Sequence, residues 1–278
     1  MKSGIDSGQF IDFGGDGPLI HFSHGNGFHP QSYRKLLNLL QIEYRLLASA
    51  HRSFWNAGER IEDVSSLHVF ADDLISTLDS KVNERVYGVG HSLGAIVTLL
   101  AANKRPDLFK SLILIDPVFI PPSLVMLFNT LPWFIQKRVS TIKKALNRPD
   151  TWSSRDEAFE YHRKKRVFKR IDDDVLWDYI NPGTIQNEEN RVTLKCSKRW
   201  EVHCYTLVPN AWPSIAKCKV PVFGIRAENS DVLLPSAWQR WKTLAPSHQL
   251  IDVPNSGHLL PFELPKVVGD LIKKSIIA

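Results

Sequence analysis

Short apolar runs alternate along this chain with segments in which apolar residues recur at helical spacing. The runs predict buried strands at residues 18–22, 44–48, 85–89, 112–115, 220–225 and 249–253. The helical spacing predicts helices near residues 33–40, 64–78, 95–102, 236–244 and 261–272. Strands joined by crossover helices in this order predict the α/β fold class, with a mostly parallel, doubly wound sheet whose ligand site lies at the carboxyl ends of the strands.

The middle of the chain departs from this alternation. Residues 119–213 are basic and rich in tryptophan, and their apolar spacing predicts helices near 134–146, 155–166 and 172–180 but no parallel strand. We therefore interpret residues 119–213 as an inserted helical cap (lid) on an α/β core made of residues 1–118 and 214–278. The apolar stretch 112–135 has the length of a membrane span, but Asp116 and four prolines interrupt it, so no integral membrane segment is predicted.

Composition narrows the class of protein and its compartment. The chain has 278 residues, of which 43% are hydrophobic and 23% charged, and this balance excludes disordered, collagen-like and coiled-coil proteins. The three cysteines, Cys196, Cys204 and Cys218, lack C-x-x-C spacing, so neither a disulfide framework nor a zinc site is indicated. The first 15 residues contain no apolar signal segment, and we expect a reducing, cytoplasmic location.

The formal net charge of +6 is concentrated in the cap, which carries 16 Lys and Arg against 11 Asp and Glu. The densest basic run is 163–166, followed by Lys169 and Arg170. Such a run could bind an anionic partner, but a run of charges on a helix is more often a solvated face, and no nucleic-acid-binding motif accompanies it. We predict a solvated face and no nucleic acid partner.

The strand predicted at 85–89 runs into a Gly-His-Ser-Leu-Gly segment, residues 90–94, that matches the pattern G-x-S-x-G. In this pattern the two glycines permit a sharp turn from strand to helix that presents the serine to the site. The predicted strand before the segment and the apolar helix after it are the context that such a turn requires. Ser92 is therefore the candidate nucleophile.

A serine nucleophile needs a general base. Among the ten histidines, His258 follows the last predicted strand directly, so a loop would hold it at the sheet edge where Ser92 is expected. His91 is next to the serine in sequence but leaves the turn on the opposite side. His21 lies within a predicted strand, where a core histidine is expected.

The base in turn needs a carboxylate that orients its ring. Asp231 and Glu228 both follow the strand predicted at 220–225, and so both are expected at the same edge of the sheet. Asp116, directly after the preceding strand, is a third candidate, and its alternative role is to cap the loop that follows.

Acyl transfer also needs hydrogen-bond donors for an oxyanion. The backbone amide of Leu93, directly after the candidate nucleophile, is one such donor. The loop His24-Gly25-Asn26 follows the first predicted strand and precedes a helix, and its glycine allows the backbone to approach closely. This loop offers a second amide.

At four sites together the chain resembles the α/β-hydrolase superfamily, in its lid-bearing serine esterase and lipase-like branch. The four sites are the loop at His24-Gly25, the elbow at 90–94, the turn Ser230-Asp231, and the loop 256–258 with Glu263 and Pro265. The resemblance implies an α/β-hydrolase fold and the triad Ser92, Asp231 and His258. It also implies an oxyanion hole formed by the backbone amides of Asn26 and Leu93.

These residues together indicate hydrolysis of a small-molecule carboxylic ester, with an apolar acyl or aromatic group, through an acyl-enzyme. The aromatic candidates for the substrate pocket are Phe28, Trp55, Phe119, Trp133, Trp152 and Trp212, and packing of the cap onto the core is the alternative explanation for the same residues. The chemistry requires no metal and no organic cofactor. A homodimer is left open by the sequence.

Other functions fit the same residues. Thioester hydrolysis and C–C bond hydrolysis would use the same triad, with a basic residue of the cap holding a substrate carboxylate. Cofactor-free perhydrolysis would also use this triad, but enzymes of that kind usually have a much smaller cap than the one predicted here. A non-catalytic binding protein on this fold is a further alternative, and it would be unreactive at Ser92.

Overall fold

The computed structural model describes residues 9–55 and 60–277. The strands are β1 (Phe10–Gly14), β2 (Leu19–Ser23), β3 (Arg45–Ser49), β4 (Val86–His91), β5 (Phe109–Ile115), β6 (Thr151–Trp152), β7 (Thr184–Gln186), β8 (Val192–Leu194), β9 (Val222–Ala227) and β10 (Gln249–Val253). The α-helices are α1 (Arg34–Gln41), α2 (Leu67–Lys81), α3 (Leu93–Lys104), α4 (Pro122–Thr130), α5 (Trp133–Gln136), α6 (Ser140–Asn147), α7 (Arg155–Arg163), α8 (Asp173–Gly183), α9 (Lys198–Thr206), α10 (Trp212–Lys217), α11 (Pro235–Leu244), α12 (Leu260–Glu263) and α13 (Pro265–Ile277). Short 3-10 turns lie at Pro30–Tyr33, Arg52–Phe54, Ile61–Asp63, Pro106–Leu108 and Arg166–Phe168.

A seven-stranded sheet runs through the middle of the molecule in the order β1-β3-β2-β4-β5-β9-β10. β1 is antiparallel to β3 at one edge, and the other neighbouring strands are parallel. β2 and β9 are buried along their whole length, as expected for strands covered by helices on both faces. The predicted α/β fold with a mostly parallel sheet is confirmed.

Helices pack on both faces of this sheet. On one face, α2, α3 and α11 form a core that includes Phe70, Leu99 and Trp241. On the other face, α1 and α13 pack through Leu36 and Ile272. Because both faces are covered, the carboxyl ends of the strands are the part of the sheet where loops can form a site.

The segment between β5 and β9 lies outside the seven-stranded sheet and carries helices α4 to α10. It also contains a small antiparallel sheet in the order β6-β8-β7. The sequence did not predict this sheet, because strands of two or three residues are too short to show an alternating pattern. Helix α10 crosses the boundary proposed at residue 213, and the division into core and cap stays an interpretation.

Two smaller features of the fold also escaped prediction. β1 is a half-buried edge strand without a clear apolar run, and the helix expected at 134–146 is two helices, α5 and α6. Within residues 9–55 and 60–277, the structure has no helix that is long and apolar enough to cross a bilayer.

Candidate active site

Ser92 lies at a sharp turn between the end of β4 and the start of α3. Its backbone angles are φ 55° and ψ −117°, a conformation that costs a residue with a side chain about 1–3 kcal/mol. Close packing holds the turn in place. A Cβ atom on Gly94 would lie 2.2 Å from the carbonyl oxygen of Ser23, and one on Gly90 would lie 2.6 Å from that of Gly94. Only glycine fits at both positions, so the two glycines of the motif set the position of the serine.

His258 lies between the hydroxyl of Ser92 and a carboxylate. Its Nε2 is 3.0 Å from Oγ of Ser92, and its Nδ1 is 2.7 Å from Oδ2 of Asp116. An ionised carboxylate only accepts hydrogen bonds, so Nδ1 carries the proton and Nε2 accepts from the serine hydroxyl. Such an arrangement can remove the proton from the hydroxyl and stabilise the imidazolium that results.

Asp116 directly follows β5 and is fully buried. Its Oδ1 accepts from the amide of Ala227 at 3.0 Å. Its Oδ2 accepts from the hydroxyl of Ser230 at 2.5 Å, and also from His258. These three donors compensate the carboxylate for the hydration it loses on burial.

The structure contradicts the prediction that Asp231 orients His258. Asp231 is exposed, whereas its neighbour Ser230 is buried and donates to Asp116. Glu228, the competing candidate, is also exposed, and its carboxylate accepts a backbone amide at the start of the loop that carries His258. The turn after β9 therefore supplies a hydrogen-bond donor to Asp116, but it does not supply the carboxylate that orients His258.

The sequence did contain a signal for Asp116. It is the one acidic residue in the otherwise apolar stretch 112–135. A carboxylate directly after a fully apolar strand run is expected to be buried, and a buried carboxylate needs hydrogen-bonding partners. This signal identifies Asp116 as a special residue, but it does not identify His258 as its partner.

A chain of hydrogen bonds links the loop after β2 to the backbone of His258. The amide of Gly25 donates to the hydroxyl of Tyr33 at 2.9 Å, and this hydroxyl donates to Nδ1 of His91 at 2.8 Å. Nε2 of His91 then donates to the carbonyl oxygen of His258 at 2.9 Å. The chain requires a neutral His91, and burial, with His258 nearby, lowers the pKa of His91 to about 3. It holds Gly25 so close to the elbow that a Cβ there would lie 3.5 Å from that of Ser92.

Buried histidines support the same loop from the neighbouring strand β3. Nε2 of His24 accepts from the amide of His51 at 2.8 Å, and Nε2 of His51 donates to the carbonyl oxygen of His24 at 3.0 Å. Within the sheet, Nε2 of His21 on β2 lies 2.9 Å from the hydroxyl of Ser49 on β3. Burial lowers the pKa of His51 to about 4 and, together with the nearby His51, that of His21 to about 3. These rings are therefore neutral structural groups at neutral pH.

The cap contacts this loop through a largely buried ion pair. Arg148 and Glu201 form a salt bridge, and the hydroxyl of Tyr205 donates to the carboxylate of Glu201 at 3.2 Å. The backbone carbonyl of Glu201 accepts from the side-chain amide of Asn26 at 3.0 Å. Burial raises the pKa of Glu201, and the charge of Arg148 opposes that effect. Through these contacts α9 of the cap is tied to the loop that carries Asn26.

Three of the predicted pocket residues belong to the packed interior. Phe119 and Trp212 are buried with their ring centroids 5.1 Å apart, and Phe119 also packs on Trp241 of α11. Trp152 is buried within the cap, 5.2 Å from the ring of His162. The pocket assignment of Phe119, Trp152 and Trp212 is therefore corrected to packing.

The other three candidates differ in their surroundings. Trp133 is half exposed on the outside of the cap, and Trp55 is half-buried with its indole donating to the carbonyl of Ala50 at 2.7 Å. Phe28 directly follows the loop beside the elbow, and its ring lies 5.0 Å from both Tyr179 of the cap and Phe262 of α12. Of the six, Phe28 has the surroundings that suit contact with a substrate.

The basic run at 163–166 is partly structural. Arg163 pairs with Asp173 at 3.0 Å and donates to the carbonyl of Ile171 at 2.6 Å. The remaining residues of the run are exposed, and Lys165 lies over the ring of Tyr161 at 4.1 Å. This environment agrees with a solvated helix end. The absence of a nucleic acid partner stays a prediction.

The three cysteines are free thiols. In the described ranges, 9–55 and 60–277, the structure brings together no set of three or more His, Cys, Asp or Glu side chains arranged to hold a metal ion.

The fold is that of an α/β hydrolase. A family model described as "Alpha/beta hydrolase family" matches residues 22–271, and this chain belongs to that family. Human monoglyceride lipase is 35% identical over 109 residues, which are 37% of this chain and 35% of the lipase, so the match spans about a third of that relative. Ethanol acetyltransferase 1 from Hanseniaspora uvarum is 28% identical over 92% of this chain and 79% of its own length. The structure of E-2-(acetamidomethylene)succinate hydrolase superposes with a TM-score of 0.82 at 20% identity, over 97% of this chain and 94% of that one.

Proposed function

We propose that this protein is a serine hydrolase that cleaves a carboxylic ester of a small molecule through an acyl-enzyme. The proposal depends on one observation, the continuous path from Ser92 through both ring nitrogens of His258 to Asp116, with contacts of 3.0 and 2.7 Å. In this proposal Ser92 is the nucleophile, His258 is the general base and acid, and Asp116 orients the ring.

Acylation begins when Oγ of Ser92 attacks the ester carbonyl carbon and its proton passes to Nε2 of His258. Asp116 stabilises the imidazolium through Nδ1. The tetrahedral intermediate then collapses, the bond to the leaving alcohol breaks, and Nε2 returns the proton to that alcohol. In the second half of the cycle, water gives a proton to Nε2 of His258 and attacks the acyl carbon. The bond from that carbon to Oγ of Ser92 breaks, Nε2 returns the proton to Oγ, and the acid is released.

Two backbone amides would stabilise the oxyanion. Leu93 is the first residue of α3, so its amide has no acceptor within the helix. In the loop after β2 the amide of Gly25 is bonded to Tyr33, and the next amide, that of Asn26, is the second donor in this proposal. Loss of one such donor typically costs about 10²–10³ in kcat.

The surroundings favour an uncharged, apolar acyl group. Phe28, with Phe262 and Tyr179 around it, brings aromatic surface next to the loop that carries Asn26. The partly buried basic residue of the cap beside this loop, Arg148, already has its charge balanced by Glu201. A compensated arginine is a weaker site for a substrate carboxylate than a free one, which favours a simple ester over a carboxylate-bearing C–C substrate.

A second candidate function is acyl transfer to an alcohol in place of water. The relative named ethanol acetyltransferase 1 matches 92% of this chain and supports this alternative. Both activities pass through the acyl-enzyme. They differ in the molecule that attacks it, which is water in hydrolysis and an alcohol in acyl transfer. Product analysis separates them.

The test is a panel of p-nitrophenyl esters from acetate to palmitate, assayed with wild type and Ser92→Ala, with and without added ethanol. We expect release of p-nitrophenol that peaks at one chain length and falls by about 10⁴-fold or more in the variant. Ethyl ester formation at the expense of the free acid would identify the transferase reaction.

A fluorophosphonate probe supplies an independent readout, because it labels an activated serine whatever the ester substrate is. We expect labelling of wild type and none of Ser92→Ala. Equal ester hydrolysis by the two proteins would contradict the proposal. No labelling of wild type would also contradict it and would favour a binding protein.

A further inference from the structure

The cap exposes a concentrated group of apolar side chains. We name it the cap patch, and its members, between 42% and 69% exposed, are Leu124, Met126, Leu127, Trp133, Phe134 and Val139. They fall within 16 consecutive residues, on α4, on α5 and just before α6. In residues 9–55 and 60–277 they are half of the twelve large hydrophobic side chains that the protein exposes. Scattered exposed apolar residues are normal, but a concentrated group marks an interaction surface.

The fold does not need the cap patch for its own packing. α4 turns Val125 inward, where it is 8% exposed. α6 buries Ile142 and Ala145 in a small cluster with Val202 of α9. Because these inward positions are filled, the cap patch forms the outer face of the helices.

The charges in the chain segment that carries the cap patch are all of one sign. Between Asp116 and Asp150 the chain has no acidic residue, and it has five basic ones. Four of these basic side chains are exposed, namely Lys137, Arg138, Lys143 and Lys144. An anionic surface complements such a face. A second copy of this chain would set basic against basic, which disfavours a homodimer through the same patch.

We propose that the cap patch docks on the surface of an anionic lipid bilayer. The apolar side chains enter the headgroup region, and the four exposed basic side chains face lipid phosphates. The aromatic rings of Trp133 and Phe134 suit this boundary, where one side is apolar and the other hydrated. Surface docking is the mode that fits, since none of the helices in the described residues could span a bilayer. The proposal does not depend on the proposed catalytic function.

The test is co-sedimentation of the full chain with vesicles of phosphatidylcholine alone and of phosphatidylcholine mixed with phosphatidylglycerol. We expect binding to the mixed vesicles that weakens at high salt. Replacing Met126→Glu together with Leu127→Glu should abolish it. Replacing Lys143→Gln together with Lys144→Gln should weaken it by roughly fivefold for each residue changed.

The matched control is Ile42→Glu, which alters an apolar side chain that is 76% exposed after the end of α1, outside the cap. It should bind vesicles as wild type does. Thermal unfolding of each variant establishes that it is folded. No binding by wild type, equal loss in Ile42→Glu, or undiminished binding by the Met126 and Leu127 variant would overturn the proposal. If wild type forms a concentration-dependent dimer and the Met126 and Leu127 variant is monomeric, the cap patch binds a second copy of this chain. That result would also overturn the proposal.

Discussion

Nδ1 of His258 lies 2.7 Å from the carboxylate of Asp116, although 142 positions separate the two residues in sequence. They meet because β5 lies between β4 and β9 in a parallel sheet, so the residue after β5 emerges beside the elbow. The amide of Asp116 donates to the carbonyl of Ile225 at 2.7 Å, so the hydrogen bonds between β5 and β9 continue one residue past the end of β5. The φ angle of Asp116 itself is 43°, which turns the chain away from the sheet. This geometry aims the carboxylate at the loop that carries His258.

The hydroxyl of Tyr33 is predicted to position the loop beside Ser92. Tyr33→Phe leaves the amide of Gly25 and Nδ1 of His91 buried without a partner, and each unpaired group costs about 1–3 kcal/mol. We expect a lower free energy of unfolding in urea. We also expect kcat for the best ester to fall by about 10- to 100-fold, because the displaced loop misplaces an oxyanion donor.

Tyr44→Phe is the matched control for that experiment. Tyr44 is also buried, but it directly precedes β3, at the amino end of that strand, whereas Ser92 follows the carboxyl end of β4. Its variant should keep the wild-type kcat. If Tyr33→Phe lowers stability while kcat stays at the wild-type value, Tyr33 has a structural role only.

The ion pair between Arg148 and Glu201 is predicted to be strongly coupled. Glu201→Gln leaves the partly buried guanidinium of Arg148 uncompensated and should lower the free energy of unfolding by up to about 3–5 kcal/mol. The double variant, Arg148→Met with Glu201→Gln, should lose less than the sum of the losses measured for Arg148→Met and Glu201→Gln alone. A double-mutant cycle in urea measures this coupling, and strictly additive losses would show that the pair is not coupled.

The buried histidines predict that stability falls in acid. Burial lowers the pKa of His21 and His91 to about 3 and that of His51 to about 4, all below the ordinary value of 6.5. Between pH 6.5 and about 4 the unfolded chain binds protons that the folded chain does not. Each histidine therefore removes stability at about 1.4 kcal/mol per pH unit as the pH falls through this window.

Urea unfolding at several pH values tests this dependence, and His21→Gln isolates one contribution. The variant should unfold with a slope that is shallower by about 1.4 kcal/mol per pH unit than that of wild type in the same window. A slope identical to that of wild type would show that His21 is not held neutral by the fold.

The central sheet could be predicted from the sequence because its strands carry clear apolar runs. The prediction for β10 matches its bounds, and those for β2 and β3 are within one residue. The elbow could also be predicted, since the turn requires glycine at positions 90 and 94 and this spacing is visible in the sequence. By contrast, β6 pairs with β8 across a long stretch of chain, and strands of two or three residues, such as β6, β7 and β8, are too short to show a period in the sequence.

The acid could not be chosen from the sequence alone. Asp116, Glu228 and Asp231 all follow strands at the same edge, and each fits the order serine, acid, histidine along the chain. The difference between them is burial, which depends on strand order in the sheet. Tyr33 and Ser230 were not predicted as supporting residues for a related reason, because a buried hydroxyl in a turn has no sequence signature that reveals its partner.

The most direct test of the proposed triad is to compare Asp116→Asn with Asp231→Asn in the same ester assay. We predict that Asp116→Asn lowers kcat by about 10³- to 10⁴-fold, because an asparagine can hold His258 in the wrong tautomer and cannot stabilise the imidazolium. Asp231→Asn, an exposed change, should stay within about twofold of wild type. A large loss in Asp231→Asn with near wild-type activity in Asp116→Asn would contradict the role of Asp116 in the triad.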